Sequence, residues 1–236
     1  MTLGLAERVL IRLPAAPLNF AILARRRLQG RRPLVHHGLQ RSGTNFVNAC
    51  LRRIGATPIN AFDPPRSSPR HKHCRWQPEK DSIPSFIRDQ YGNRFEASDL
   101  PSLDRIAGFP ADSRHLVIRR EEVAWLASIC NWGLACGWFS GRDEAIAAVP
   151  AFREDRRRYD AYWDRLVREH PERAAVVDAD EVRRNFSLLT EALAGIGIAF
   201  AVPAGFDGHI DAVPHSPVER DRRVTRSDVL AAIEAA

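Results

Sequence analysis

Residues 34–45 read Leu-Val-His-His-Gly-Leu-Gln-Arg-Ser-Gly-Thr-Asn, an apolar start that runs into a loop bounded by two glycines. Residues 34–39 have the length and composition of a short buried strand ending in a glycine turn. Beyond the loop, Val47, Cys50, Leu51 and Ile54 fall at i, i+3, i+4 and i+7, which predicts an amphipathic helix over 45–54. Gly38 and Gly43 have the GxxxxG spacing of a phosphate-binding loop. Glycine lets the backbone turn tightly, so that loop amides and the helix N-terminus point at one anion. In a nucleotidase the next two residues are Lys and then Ser or Thr, which hold phosphate and magnesium. Here they are Thr44 and Asn45, and the cation lies inside the loop as Arg41. That pattern fits a metal-free phosphate site better than ATP hydrolysis.

Strand and helix signals alternate along the rest of the chain. Residues 115–118 form a second strand candidate, followed at helical spacing by Val123, Leu126, Ala127 and Cys130. Residues 150–169 read as a charged surface helix with Tyr159, Tyr162, Trp163 and Leu166 facing inward. Residues 174–177 form a third strand and 186–196 a further helix. This alternation predicts an α/β fold, with a central parallel sheet flanked by helices in three layers. Residues 63–70 and about 200–224 read as loops, with Ser227 expected to cap a last short helix. Residues 78–112 and 200–224 are the expected walls of a variable pocket. Residues 1–32 are set apart as a basic, helical N-terminal extension, and residues 33–236 form the main domain.

Charge is uneven. Residues 1–80 hold 15 Lys and Arg against 3 Asp and Glu, a net +12, whereas the remainder holds 20 against 26, a net −6. A basic first third calls for an anionic partner. Lys72 and Lys80 are the sole lysines, so nearly all of the positive charge is guanidinium, suited to fork-like contact with phosphate. Residues 13–24 contain two prolines and fall well short of the ~20 apolar residues that span a bilayer. No apolar run leads to a small-residue cleavage site, so a signal peptide is not expected. Arg25, Arg26, Arg27, Arg31 and Arg32 suit contact with an anionic membrane surface, and the same segment suits a helix packed on the domain's flank. Cys50, Cys74, Cys130 and Cys136 lack CxxC spacing and read as free thiols in a reducing, cytoplasmic setting.

The strand, the Arg41-Ser42-Gly43-Thr44-Asn45 run and the helix together resemble the 5′-phosphosulfate loop of the PAPS-dependent sulfotransferases, a P-loop-like fold. The resemblance extends to residues 116–128, Leu-Val-Ile-Arg-Arg-Glu-Glu-Val-Ala-Trp-Leu-Ala-Ser. In that family an arginine ending a strand and a serine eight residues later hold the donor's 3′-phosphate. Arg120 and Ser128 have that spacing, and Arg119 competes with Arg120 for the role. The proline usual after the arginine is absent, and Asp178-Ala179-Asp180 stands where Tyr-Glu-Asp is commoner. The resemblance implies that Gln40, Arg41, Ser42, Gly43, Thr44, Asn45, Arg120 and Ser128 bind the donor, 3′-phosphoadenylyl sulfate (PAPS). It implies that Arg41 neutralises charge on the leaving phosphate.

Transfer to a hydroxyl also needs a group that takes the acceptor's proton. The family places a histidine or glutamate after the second strand, where His71-Lys72-His73 stands here. His73 is the first candidate base, His71 the second and Glu79 a weaker alternative. The same residues also read as a solvated basic loop, and an HxH pair suits a metal only with a third ligand that the spacing does not offer. His36 and His37 lie in the first strand and read as structural.

The expected activity is therefore metal-independent transfer of a sulfuryl group from PAPS to an acceptor hydroxyl on a saccharide, lipid or small molecule. Three alternatives stay open: a P-loop kinase or nucleotidase acting on ATP, a basic nucleic-acid-binding protein, and a sulfotransferase homologue that has lost catalysis. No nucleic-acid motif accompanies the basic charge.

Overall fold

A computed structural model describes residues 15–78, 94–210 and 223–236. Three parallel strands, β1 (Leu34–His37), β4 (Arg114–Arg119) and β5 (Ala174–Asp178), form the central sheet in the order β1-β4-β5. The register pairs Val35 with His115 and His37 with Val117, then His115 with Ala174 and Arg119 with Asp178. A second parallel pair, β2 (Arg75–Gln77) and β3 (Arg94–Glu96), sets Trp76 beside Phe95. The helices are α1 (Ala15–Leu28), α2 (Thr44–Arg53), α3 (Leu100–Ala107), α4 (Glu122–Ala135), α5 (Arg142–Ala147), α6 (Val149–Glu169), α7 (Ala179–Arg184), α8 (Ser187–Gly195) and α9 (Arg226–Glu234).

The sheet is buried on both faces, which is why its strands read as apolar runs rather than alternating ones. Successive side chains still point to opposite faces. Leu34, Leu116, Ile118 and Val177 pack with Val47 and Leu51 of α2 and with Leu189 and Leu193 of α8. Val35, Val117 and Ala174 pack on the other face with Trp125 and Ile129 of α4 and Trp163 and Leu166 of α6. Helices therefore cover both sides of a small parallel sheet, as the alternation of signals predicts. Arg75 and Asp155 form a buried pair at 2.7 Å that ties β2 to α6.

Two expectations are corrected. Residues 94–107, expected as loop, form β3 and α3, because Asp99 and Ser102 exchange hydrogen bonds in a capping box that starts α3 at Leu100. The last helix is capped by Thr225, not Ser227. The Thr225 hydroxyl accepts from the Asp228 amide while the Asp228 carboxylate accepts from the Thr225 amide, leaving Ser227 in the first turn. Cys50, Cys74 and Cys130 are buried free thiols and Cys136 is an exposed one. Among the described residues no helix is long and apolar enough to cross a membrane.

Candidate functional site

Because the three central strands are parallel, their carboxyl ends meet at one edge, the usual place for a ligand in an open α/β sheet. There the loop after β1, the turn after β4 and residues 63–73 enclose a cleft of about 1510 Å³. Gln40, Arg41, Gly43, Thr44, Asn45, His71, His73, Arg120 and Ser128 all line it.

The loop is held by close packing. A Cβ on Gly38 would lie 2.6 Å from Thr44 Cγ2 and 2.7 Å from the Ile118 carbonyl. Gly43 has φ 86°, and a Cβ there would meet Ala179 at 2.5 Å. Arg41 adopts the left-handed conformation, φ 69°, alone among the described non-glycine residues. Such a conformation costs an ordinary residue about 1–2 kcal/mol, strain of a kind that collects at functional sites. Trp125 Nε1 donates to the Gln40 carbonyl at 2.8 Å and pins the loop to α4. Gly43 has no side chain to cap α2, so the first-turn amides of the helix have no intrahelical acceptor and open toward the cleft. Ser42 stands apart from the other loop residues. Its hydroxyl and its amide both donate to the Leu39 carbonyl, at 2.7 and 3.2 Å, so they close the loop rather than face the cleft.

The two sequence motifs meet in space. Arg41 Nε donates to Ser128 Oγ at 3.1 Å, across 87 residues of chain, and its guanidinium stacks over Trp132 at 5.1 Å. Arg119 and Arg120 part company at the end of β4. Arg119 turns to α6, where it binds Asp160 at 2.9 Å and Asp164 at 2.8 Å. Arg120 enters the cleft, and its Nε contacts Asp180 Oδ2 at 3.0 Å. The two terminal nitrogens of Arg120 have no partner among the described residues.

His71, Lys72 and His73 form the opposite wall. Lys72 is almost fully buried, and its Nζ reaches both Asn45 Oδ1 and Asp63 Oδ2 at 2.8 Å. An ammonium thus stands beside the start of α2 although the residue after Gly43 is not lysine. The sequence reading missed Lys72, yet a signal was present, since lysine is so rare in this arginine-rich chain. His73 Nδ1 lies 2.7 Å from the Gly38 carbonyl. A carbonyl can only accept, so Nδ1 carries the proton and Nε2 is left as a proton acceptor. Burial and the neighbouring Lys72 hold the His73 pKa well below the usual value, which keeps the ring neutral. His71 is the reverse. Its Nδ1 accepts from the His73 amide at 3.1 Å, so the neutral ring carries its proton on Nε2.

No family model matches the chain, and no curated protein or solved structure matches it.

The rest of the cleft adds cations that sequence reasoning did not single out: Arg66, Arg183, Arg223 and Arg226. Arg226 is anchored to Glu121 at 2.7 Å, and the Val224 amide donates to Asn131 at 2.9 Å, which fixes residues 223–226 against α4. Ile210 also lines the cleft, whereas the described residues from 94 to 112 do not. Trp132 had a readable signal, one turn beyond Ser128 on the same face of α4. Among the described residues no group of three or more His, Cys, Asp and Glu stands together as a metal site. His36 and His37 are buried within the sheet, and Glu79 lies outside the described residues.

Proposed function

We propose that this chain is a sulfotransferase of a P-loop-type fold that moves the sulfuryl group of PAPS to an acceptor hydroxyl. The observation that carries the reading is the contact between Arg41 and Ser128, which joins the two motifs assigned separately to the donor's 5′ and 3′ ends. The first-turn amides of α2, with Thr44 and Asn45, would hold the 5′-phosphate. Of the loop residues expected at the donor, Ser42 is left out, because its hydroxyl and amide are consumed within the loop. Arg120 and Ser128 would hold the 3′-phosphate. The acceptor oxygen attacks sulfur as the bond from sulfur to the 5′-phosphate oxygen breaks, and the electron pair leaves on that oxygen. The acceptor proton passes to His73 Nε2. Arg41 and Lys72 face the charge that builds on the leaving phosphate, where fixed cations lower the barrier most. The products are a sulfate ester and adenosine 3′,5′-bisphosphate.

Calorimetric titration with adenosine 3′,5′-bisphosphate, without metal, tests the donor site. Micromolar binding is expected, weakened at least tenfold in Arg120→Ala, about 1.4 kcal/mol. If the protein ignores this nucleotide and binds ATP with magnesium, the loop belongs to a divergent nucleotidase and the proposal fails. Asp180 supplies a prediction of opposite sign. Its carboxylate competes with phosphate for Arg120 in a part-exposed pair, about a quarter exposed on each side, of a kind that contributes about 1 kcal/mol or less. Asp180→Asn should therefore tighten the same titration by about two- to fivefold. Weaker binding in that variant would mean that Asp180 orients Arg120 rather than competing for it.

A further inference from the structure

Helix α1 is built inside out. Its fully buried side chains are polar: Asn19, which exchanges two hydrogen bonds with the backbone of Phe62, and Arg26, whose Nε donates to the Arg32 carbonyl at 2.8 Å. Ile22 and Leu23 pack part-buried on the core beside them. The opposite face carries Pro17, Phe20, Ala21, Ala24 and Leu28 at i, i+3, i+4, i+7 and i+11, a continuous apolar stripe. Its two large side chains point to solvent, Phe20 at 69% exposure and Leu28 at 89%. Folding alone does not account for such a stripe, because water-facing positions of a flank helix are normally polar.

The surroundings of the stripe are cationic. Between residues 15 and 62 there is no Asp or Glu at all. Arg25 borders the stripe on one side and Arg27 on the other, with Arg31 and Arg32 just beyond the helix. Arg27 is paired with Asp112, whereas the side chains of Arg25, Arg31 and Arg32 have no ion-pair partner among the described residues. An apolar stripe with guanidinium groups along its borders is the make-up of a helix that lies in the headgroup region of an anionic bilayer. A second copy of the chain is a poor occupant, since pairing this face with itself would set one arginine border against another.

We propose that α1 docks this protein on anionic phospholipid surfaces, with Phe20 and Leu28 inserted at the headgroup boundary and Arg25, Arg31 and Arg32 on the phosphates. The inference is independent of the chemistry assigned to the cleft. Co-sedimentation of the full chain with vesicles tests it, comparing phosphatidylcholine alone with phosphatidylcholine containing about one-third phosphatidylglycerol. The protein should pellet with the anionic vesicles, stay in solution with the neutral ones and be released by high salt. Phe20→Ser with Leu28→Ser should cut the bound fraction at least about tenfold, since both side chains would leave the apolar boundary. Both residues are solvent-facing, so the variant's melting temperature should match that of the parent. Equal pelleting with both vesicle types, no pelleting, or undiminished binding by the double variant would overturn the proposal. So would a concentration-dependent dimer in light scattering that the double variant abolishes, which would make the stripe a protein interface.

Discussion

Under the proposed function, replacing Arg41 with alanine is expected to lower sulfuryl transfer by about 100-fold or more, read as release of adenosine 3′,5′-bisphosphate from PAPS. The backbone at Arg41 is held at φ 69° while its guanidinium is fixed by Ser128 and Trp132, so loop strain is spent on placing one cation at the cleft floor. A cation that is already in position does not have to reorganise as negative charge builds on the leaving phosphate. The effect should fall mainly on turnover, because the charge appears in the transition state rather than in the bound donor. Arg41→Gly separates chemistry from folding. Glycine accepts a positive φ without strain, so this variant should melt at or above the parent's temperature and still lose activity. Near-normal turnover in both variants would end the assignment of Arg41 to the leaving group.

Lowering the pH from 7 to 5 is expected to remove much of the protein's stability, because several histidines are buried in neutral form. His36 is fully buried and has a pKa lowered to about 4 by burial and by Lys72, which outweigh the opposing hydrogen bond to Asn60 and the charge of Asp63. His37 and His115 stack at 5.3 Å in the core, with His37 Nε2 3.0 Å from His115 Nδ1. His115 Nε2 lies 3.1 Å from Asp104, which Arg173 also binds at 2.5 Å. Burial lowers both of these pKa values, and that of His73, below 6.5, although Asp104 partly offsets it at His115. Below pH 6.5 the unfolded chain takes up protons that the folded chain refuses. Stability therefore falls as the pH drops from about 6.5 towards 4, the folded value for His36. For His36, whose folded value is about 4, the loss between pH 7 and 5 is about 2 kcal/mol, against a typical total stability of about 5–15 kcal/mol, and His37, His73 and His115 act in the same direction. Thermal melts across this range should show a steep fall in midpoint, flattened in His37→Phe, which removes one titrating ring from the stack. A midpoint constant from pH 7 to 5 would contradict the neutral buried state.

Much of the architecture was readable in short stretches of sequence. The strands at 34–37, 114–119 and 174–178 and the helices at 44–53, 122–135 and 187–195 are local patterns, set by apolar spacing and, in the first loop, by glycines that no other residue could replace, whereas α7, directly after β5, was not anticipated. Boundaries were less legible where side-chain caps decide them, as at Asp99 and Thr225, since a capping box competes with neighbouring candidates of equal propensity.

The sequence by itself determined the α/β order, the glycine-bounded loop and the candidates for its cleft, because periodicity and backbone freedom are properties of adjacent residues. Where each candidate side chain goes was decided by tertiary structure alone. Arg119 and Arg120 are chemically identical neighbours, and only the packing of β4 against α6 sends one to Asp160 and the other to the cleft. His71 and His73 differ through the backbone groups they meet, one accepting from an amide and the other donating to a carbonyl, which sets opposite tautomers. Lys72 finds Asn45, and Arg41 finds Ser128, across spans of 27 and 87 residues that no local pattern encodes. A side chain's role depends on the atoms it touches, and here those atoms come from distant parts of the chain.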